Sequence, residues 1–382
     1  MNGRLTRREL VERGAAGIAL ASLPGVFAGE AFASTAGIDP KKLGKSLTIS
    51  NWPLYIDVDE KTKKRPTIEQ FQKKYGVHVK YIEDVNSNAT FFGKIQGALS
   101  RGSSTGRDII VMTDNSPYPA LLVQKGFVEK LDKSVLPNIK NLQDTQRHPA
   151  WDPKREYSLP WQSGMTGIGY NAKLTKPITS VDQLLTDKRL HGKVTLLDDY
   201  EDTLGLVMLA NGDDPGKVTD ASFSRALKKV QKAVKSGQVR QFTGNDYSGL
   251  LAKGDIIAAV VWSGDMVQLH ADNKSLRFEL PTAGGIIWTD NMLIPKGGDA
   301  YTASVFMNYV YDAKVAAQIE DYVNYVCPVK GADKVLLKTD PAVAKNPLVF
   351  PSAKTLAQLH QNDPKALFNV DYKTQWQKLL GA

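Results

Sequence analysis

Short apolar runs of strand length alternate with amphipathic helical stretches from about residue 45 onward, and few architectures accept that rhythm. Ser46–Ser50 reads as a strand. Pro66–Tyr75 reads as a helix, with Pro66 suited to its first turn and Gly76 to its stop. Val77–Ile82 is strand-like again, Ala89–Leu99 has helical spacing through Phe92, Ile95 and Leu99, and Asp108–Met112 is a buried-strand run. The alternation continues through Thr166–Tyr170, Val181–Leu185, Val194–Leu197, Thr203–Ala210, Ala221–Lys235, Ile256–Trp262 and Asp265–Ala271, and the chain turns mostly helical from Thr302. This order predicts an α/β fold with mostly parallel sheets. Tyr157–Gly164 and Gly284–Asp290 are predicted as strands crossing between two lobes, which suits a length of 382 residues.

The first 33 residues read as an address rather than a fold. Arg4, Arg7, Arg8 and Arg13 precede a short apolar run, Gly14–Ala28, and Ala31-Phe32-Ala33 offers a small-x-small cleavage pattern. The Thr6-Arg7-Arg8-Glu9-Leu10 sequence fits a twin-arginine export signal, with an ordinary secretory signal as the alternative. The run is too short for a stable membrane span, and no cysteine follows it to carry a lipid. A soluble periplasmic protein beginning near Ser34 is expected.

Composition narrows the function classes. With 42% hydrophobic and 23% charged residues, the chain is neither disordered nor fibrous as a whole. Its one cysteine, Cys327, rules out an intrachain disulfide and a Cys-pair zinc site. The formal charge of +9 is spread over scattered lysines, with no Arg-rich run among aromatics, so no nucleic-acid partner is expected. No zinc helix, phosphate loop, dinucleotide loop or nucleophile elbow occurs, and no metal, cofactor or catalytic residue is expected.

Five segments instead place aromatics and acids at the ends of predicted elements. They are Asn51–Tyr55, Leu197–Asp202, Val260–Gly264, Gly284–Asp290 and Tyr322–Tyr325, and none contains Lys or Arg. In open α/β sheets ligands bind at strand C-terminal ends. Ring faces attract an ammonium by roughly 0.5–2 kcal/mol each. Carboxylates supply charge-assisted hydrogen bonds of about 1.5–3 kcal/mol, and rings also pack on methylene chains at about 0.8 kcal/mol per CH₂. The pattern suits a linear amine with apolar spacers. Each residue also has a plainer role open to it: core aromatic, helix-dipole acid or turn acid.

Taken together, Asn51-Trp52-x-x-Tyr55, Asp199-x-x-Asp202, Val261-Trp262-x-Gly264 and Gly284-Gly285-Ile286-Ile287-Trp288-Thr289-Asp290 resemble the polyamine-binding proteins of bacterial ABC importers, the spermidine/putrescine receptors. The resemblance runs in order from about Lys45 to the C-terminal region, and the Gly284–Asp290 and Tyr157–Trp161 stretches are its most specific pieces. It implies a two-lobed periplasmic-binding-protein fold of type II, with the ligand cleft between the lobes. Lobe 1 would comprise residues 45–161 with 290–330, and lobe 2 residues 162–289 with 331–382. It further implies that Trp52, Tyr55, Trp262, Trp288 and Tyr325 box a methylene chain. Asp199, Asp202 and Asp290 would bind amines, and Thr113 would keep a hydroxyl beside them. The partners implied are a polyamine such as putrescine or spermidine and the transmembrane subunits of a permease, for a monomeric, non-enzymatic receptor. Pro53, Asn115 and the charged stretch 57–65 depart from the family pattern, and Gln361 is a candidate C-terminal contact. A receptor for another small cationic or neutral solute, or a periplasmic enzyme with Asp199 or Asp202 as base, are the rival functions.

Overall fold

A computed structural model of the chain describes residues 37–59, 61–85 and 88–381. The expected export signal lies outside the described residues. Ten strands form one sheet: β1 (Ser46–Asn51), β2 (His78–Glu83), β3 (Ile109–Thr113), β4 (Ser158–Asn171), β5 (Val194–Leu197), β6 (Val239–Thr243), β7 (Ala258–Trp262), β8 (Leu276–Glu279), β9 (Gly285–Leu293) and β10 (Leu359–His360). The main order is β2-β1-β3-β9-β4-β7-β5-β6, with β8 beside β4 and β10 beside β9.

Local chemistry explains the elements. In β1 Leu47 and Ile49 turn inward, while β3 is buried along Ile109–Met112, as a strand covered on both faces must be. The helix Pro66–Tyr75 starts on its proline and ends at Gly76, which takes the left-handed conformation at φ 69°. The helix Asp220–Lys235 begins with a Thr219/Ser222 capping box and buries Phe223, Ala226, Leu227, Val230 and Ala233, the one-face spacing of an amphipathic helix.

Within each lobe the pairing is parallel: β1 with β2 and β3, and β5 with β6 and β7. The two crossing strands, β4 and β9, run antiparallel to each other and to β3, β7 and β8, while the short β10 joins β9 in parallel. Here the structure differs from the expected pair of separate strands, Tyr157–Gly164 and Thr166–Tyr170, which are one strand of 14 residues, every one of them buried. Its first part pairs with β9, from Ser158↔Leu293 to Thr166↔Ile286, and its last part pairs with β7 and β8. β9 in turn pairs with β3, ending at Thr113↔Asp290. A strand that serves both lobes is covered along its whole length, so no exposed break marks where one partner gives way to the next.

The interior is divided. Of the two large cores, one gathers Leu47, Phe71, Ile109, Leu159, Trp161, Met292 and Phe306, and the other Ile168, Leu196, Leu206, Phe223, Val260 and Trp376; a smaller third holds Phe91, Ile95, Leu122 and Leu293. Ala332, Leu336 and Ala344 pack in the first core, not with the second lobe as the boundary at 331 would have it; Ala366, Tyr372 and Trp376 do join the second. The helix Ala332–Thr339 packs on the preceding helix Ala313–Val323, and that short connection carries it into lobe 1. Trp262 touches both cores. No described helix is long and apolar enough to cross a membrane.

Candidate functional site

The sheet brings residues from both lobes together where the crossing strands meet β3 and β7. Asp290, 3% exposed, faces the end of β3 across the β3–β9 pair. Its Oδ1 accepts the Thr113 hydroxyl at 2.5 Å and its Oδ2 the Tyr55 hydroxyl at 2.7 Å. The plain turn role open to Asp290 is not what is seen: it lies inside β9, holding two hydroxyls from lobe 1.

The rings form a chain. Tyr55 meets Tyr325 edge-on at 5.2 Å, Tyr325 lies 5.9 Å from Trp288, and Trp288 meets Trp262 at 6.3 Å and 78°. Two glycines make room for it. Gly164 pairs directly with Trp288 across β4–β9, and a Cβ there would collide with the indole; a Cβ on Gly264 would collide with the Tyr325 ring. Tyr325 arrives through a helix end. The helix Ala313–Val323 stops at Asn324, left-handed at φ 58°, and Val326 then exchanges backbone hydrogen bonds with Ser163 on β4. Trp52 is half-buried against the first core, and its indole N–H has no hydrogen-bond partner.

Asp199 and Asp202 part company. Asp199 sits at the N-cap of the helix Tyr200–Ala210, exposed and making no capping bond. The surrounding protein, then the Asp202 and Asp198 carboxylates, push its pKa up to about 8, and water at its open side offsets part of that rise. Asp202, one turn on, is 2% exposed. Its Oδ1 accepts Thr166 at 2.7 Å and Asn115 at 3.0 Å, and its Oδ2 accepts the Trp262 indole N–H at 2.9 Å. Burial raises its pKa and those three donors pull it back. Both acids are expected to bind amines; N-cap geometry points Asp199 outward, and the helix buries Asp202. Glu201 between them is also pushed well up, by burial and then by Asp199.

The sequence segments missed several partners. Asp265, 2% exposed, lies in the first turn of the helix Ser263–Asp272, where the helix dipole favours an acid. It accepts Tyr325 at 2.8 Å, Tyr247 at 2.7 Å and Asn245 at 3.0 Å. Its signal was within reach, three residues after Trp262 at a helix start. Thr166 donates to Asp202 and accepts the Trp288 indole N–H at 3.1 Å; nothing in an apolar strand pattern marked it out. Asn115, from lobe 1, donates to Asp202 and accepts from the Asn362 amide. Gln361 is exposed, and its neighbour Asn362 makes that contact instead.

The result is a cluster of aromatic rings and carboxylates drawn from both lobes. It can hold a cation against rings, and no described cluster of His, Cys, Asp and Glu has the form of a metal site.

Residues 67–351 match the family described as bacterial extracellular solute-binding protein. The putrescine-binding periplasmic protein PotF of Escherichia coli is 28% identical over 369 residues, covering 90% of this chain and 94% of its own. The putrescine-binding periplasmic protein SpuD of Pseudomonas aeruginosa is 28% identical, covering 86% of this chain and 89% of its own. A solved structure of a putative spermidine/putrescine ABC transporter protein from Listeria monocytogenes superposes with a TM-score of 0.74 at 26% identity, covering 88% of this chain and 98% of its own.

Proposed function

The chain belongs to the bacterial extracellular solute-binding protein family, a family of solute binders rather than enzymes, and we propose that its solute is a linear polyamine of the putrescine or spermidine type. The observation that carries this is the pairing of buried acids with a continuous row of rings, Tyr55, Tyr325, Trp288 and Trp262, in which Asp290 bonds Tyr55 at one end, Asp202 bonds Trp262 at the other and Asp265 bonds Tyr325 between. A protonated amine would find the Asp290 carboxylate already held in place, and the methylenes would lie on the ring faces beside it. Asp199 adds a solvent-facing carboxyl that turns negative, and draws cations in, as pH rises toward about 8. The names of the relatives support the same ligand class.

The receptor works outside the cytoplasm, in the periplasm, as a soluble protein without a lipid anchor, and hands its amine to the membrane subunits of an importer. Thr113 and Tyr55 stand on lobe 1 and Trp262 and Asp199 on lobe 2, so a ligand touching both favours the shut cleft. Thermal melts with a panel of solutes test the assignment. Putrescine or spermidine should raise the melting temperature with concentration, by mass action, and glutamate should not. Stabilisation by glutamate or a sugar and by no polyamine would overturn it.

A further inference from the structure

We propose that Thr166 is a positioning residue of this site, fixing the planes of Trp262 and Trp288 through the Asp202 carboxylate. The proposal rests on the polyamine assignment only for the choice of probe.

Thr166 is fully buried at the point where β4 changes partners, opposite Trp262 on β7 and Ile286 on β9. An indole N–H only donates, so Trp288 must give its proton to the Thr166 oxygen, 3.1 Å away. The threonine's single hydroxyl proton is then committed to Asp202 Oδ1 at 2.7 Å. The other carboxylate oxygen takes the Trp262 indole N–H at 2.9 Å. The line Trp288→Thr166→Asp202←Trp262 thus leaves no donor direction free. Asn115 adds a third donor to the same carboxylate.

A carboxylate offers about four lone-pair positions. Three of those of Asp202 are taken by protein donors, in a site 2% exposed. A satisfied buried network of this kind is stiff, because every member loses a bond if one turns. Each indole is therefore pinned at its nitrogen, and the Trp288 ring is also seated over Gly164. Two rings from different strands, β7 and β9, take their angle of 78° from one threonine–aspartate pair.

The test compares Thr166→Val with Thr166→Ser in the purified protein. It uses the indole N–H nuclear magnetic resonance signals of the six tryptophans and calorimetric titration with putrescine. Thr166→Val should move the signals of Trp288 and Trp262 and leave those of Trp151 and Trp376 in place. It should also weaken putrescine binding roughly tenfold. Thr166→Ser keeps the hydroxyl and should restore both. Unmoved Trp262 and Trp288 signals, unchanged affinity, or a serine variant as weak as the valine one would overturn the proposal. Should the valine variant fail to fold, Asp202→Asn takes its place. It turns an acceptor into a donor and must move the same two signals. A wild-type protein that ignores putrescine refutes the polyamine assignment alone, because the indole signals report on unliganded protein.

Discussion

Tyr55 and Asp290, 235 residues apart in the chain, are joined by a 2.7 Å hydrogen bond in which the phenol donates to the carboxylate. Thr113 holds the other carboxylate oxygen at 2.5 Å. The acid from the crossing strand is thus aimed by two hydroxyls of lobe 1, and its charge is offset by neutral groups in both bonds.

That arrangement makes Asp290→Asn informative. The amide keeps the shape, removes the charge and replaces one acceptor with a donor. Polyamine binding should weaken by about 1.5–3 kcal/mol, the worth of a charged hydrogen bond. Tyr55→Phe removes only the aiming bond and should cost less. Calorimetric titration of both variants checks the order, and equal affinity for Asp290→Asn and wild type would return the residue to a structural role.

Trp262 is half-buried and touches both cores, whereas Trp161 and Trp376 are 4% and 2% exposed. Trp262→Ala should lower affinity by on the order of 1–3 kcal/mol through lost ring and apolar contact. Truncating Trp376 should instead cost roughly 3–5 kcal/mol of stability with affinity preserved. A ligand titration and a ligand-free melt separate the two. A polyamine should also shrink the radius of gyration in solution scattering, and constancy there would count against cleft closure.

Binding should be linked to protons. The pKa of Asp199 is pushed up to about 8 by the protein around its inner side, then by Asp202 and Asp198, while water at its open side offsets part of that rise, so near neutral pH it holds a proton part of the time. A bound cation favours the charged form and lowers that pKa. Protons are therefore released on binding below about pH 8, and affinity rises with pH through that window and falls on acidification. Calorimetry at pH 7 in buffers of different ionisation enthalpy measures the release, and Asp199→Asn should remove most of it.

Glu320 carries a separate pH signature. It is 1% exposed, and burial raises its pKa to about 8, with Gln162 and Cys327 beside it pulling only part of the way back. The folded state therefore binds this proton more tightly than the unfolded chain. Stability is full below the unfolded value near 4.5 and is lost as pH rises through about 8. The loss runs at about 1.4 kcal/mol for every tenfold difference in proton affinity between the two states. Glu320→Gln should flatten the stability profile between pH 5 and 8, as read from denaturant melts; a profile as steep as wild type would place the titrating group elsewhere.

Export has its own test. Changing Arg7 and Arg8 together to Lys should block delivery to the periplasm while the folded protein is unaffected, which cell fractionation reads directly. Normal delivery of the double variant would favour an ordinary secretory signal.

Residues close in sequence carried most of what could be foreseen. The strand–helix rhythm announced an α/β fold because apolar period and turn chemistry are local properties: Pro66 and Gly76 bound a helix wherever that helix packs. The cluster of acids and rings without Lys or Arg announced the chemistry of the site, since residue type alone sets charge and ring character. Tertiary structure decided what each acid does. Asp202 and Asp199 sit three positions apart and look alike in sequence, yet one is occupied by Trp262, Thr166 and Asn115 and the other opens to water. Asn115 lies 87 residues from Asp202, and Asn362 lies 247 from Asn115. Hydrogen-bond partners at such separations are fixed only when the sheet closes, because donor geometry tolerates a few tenths of an ångström and no sequence pattern spans that distance.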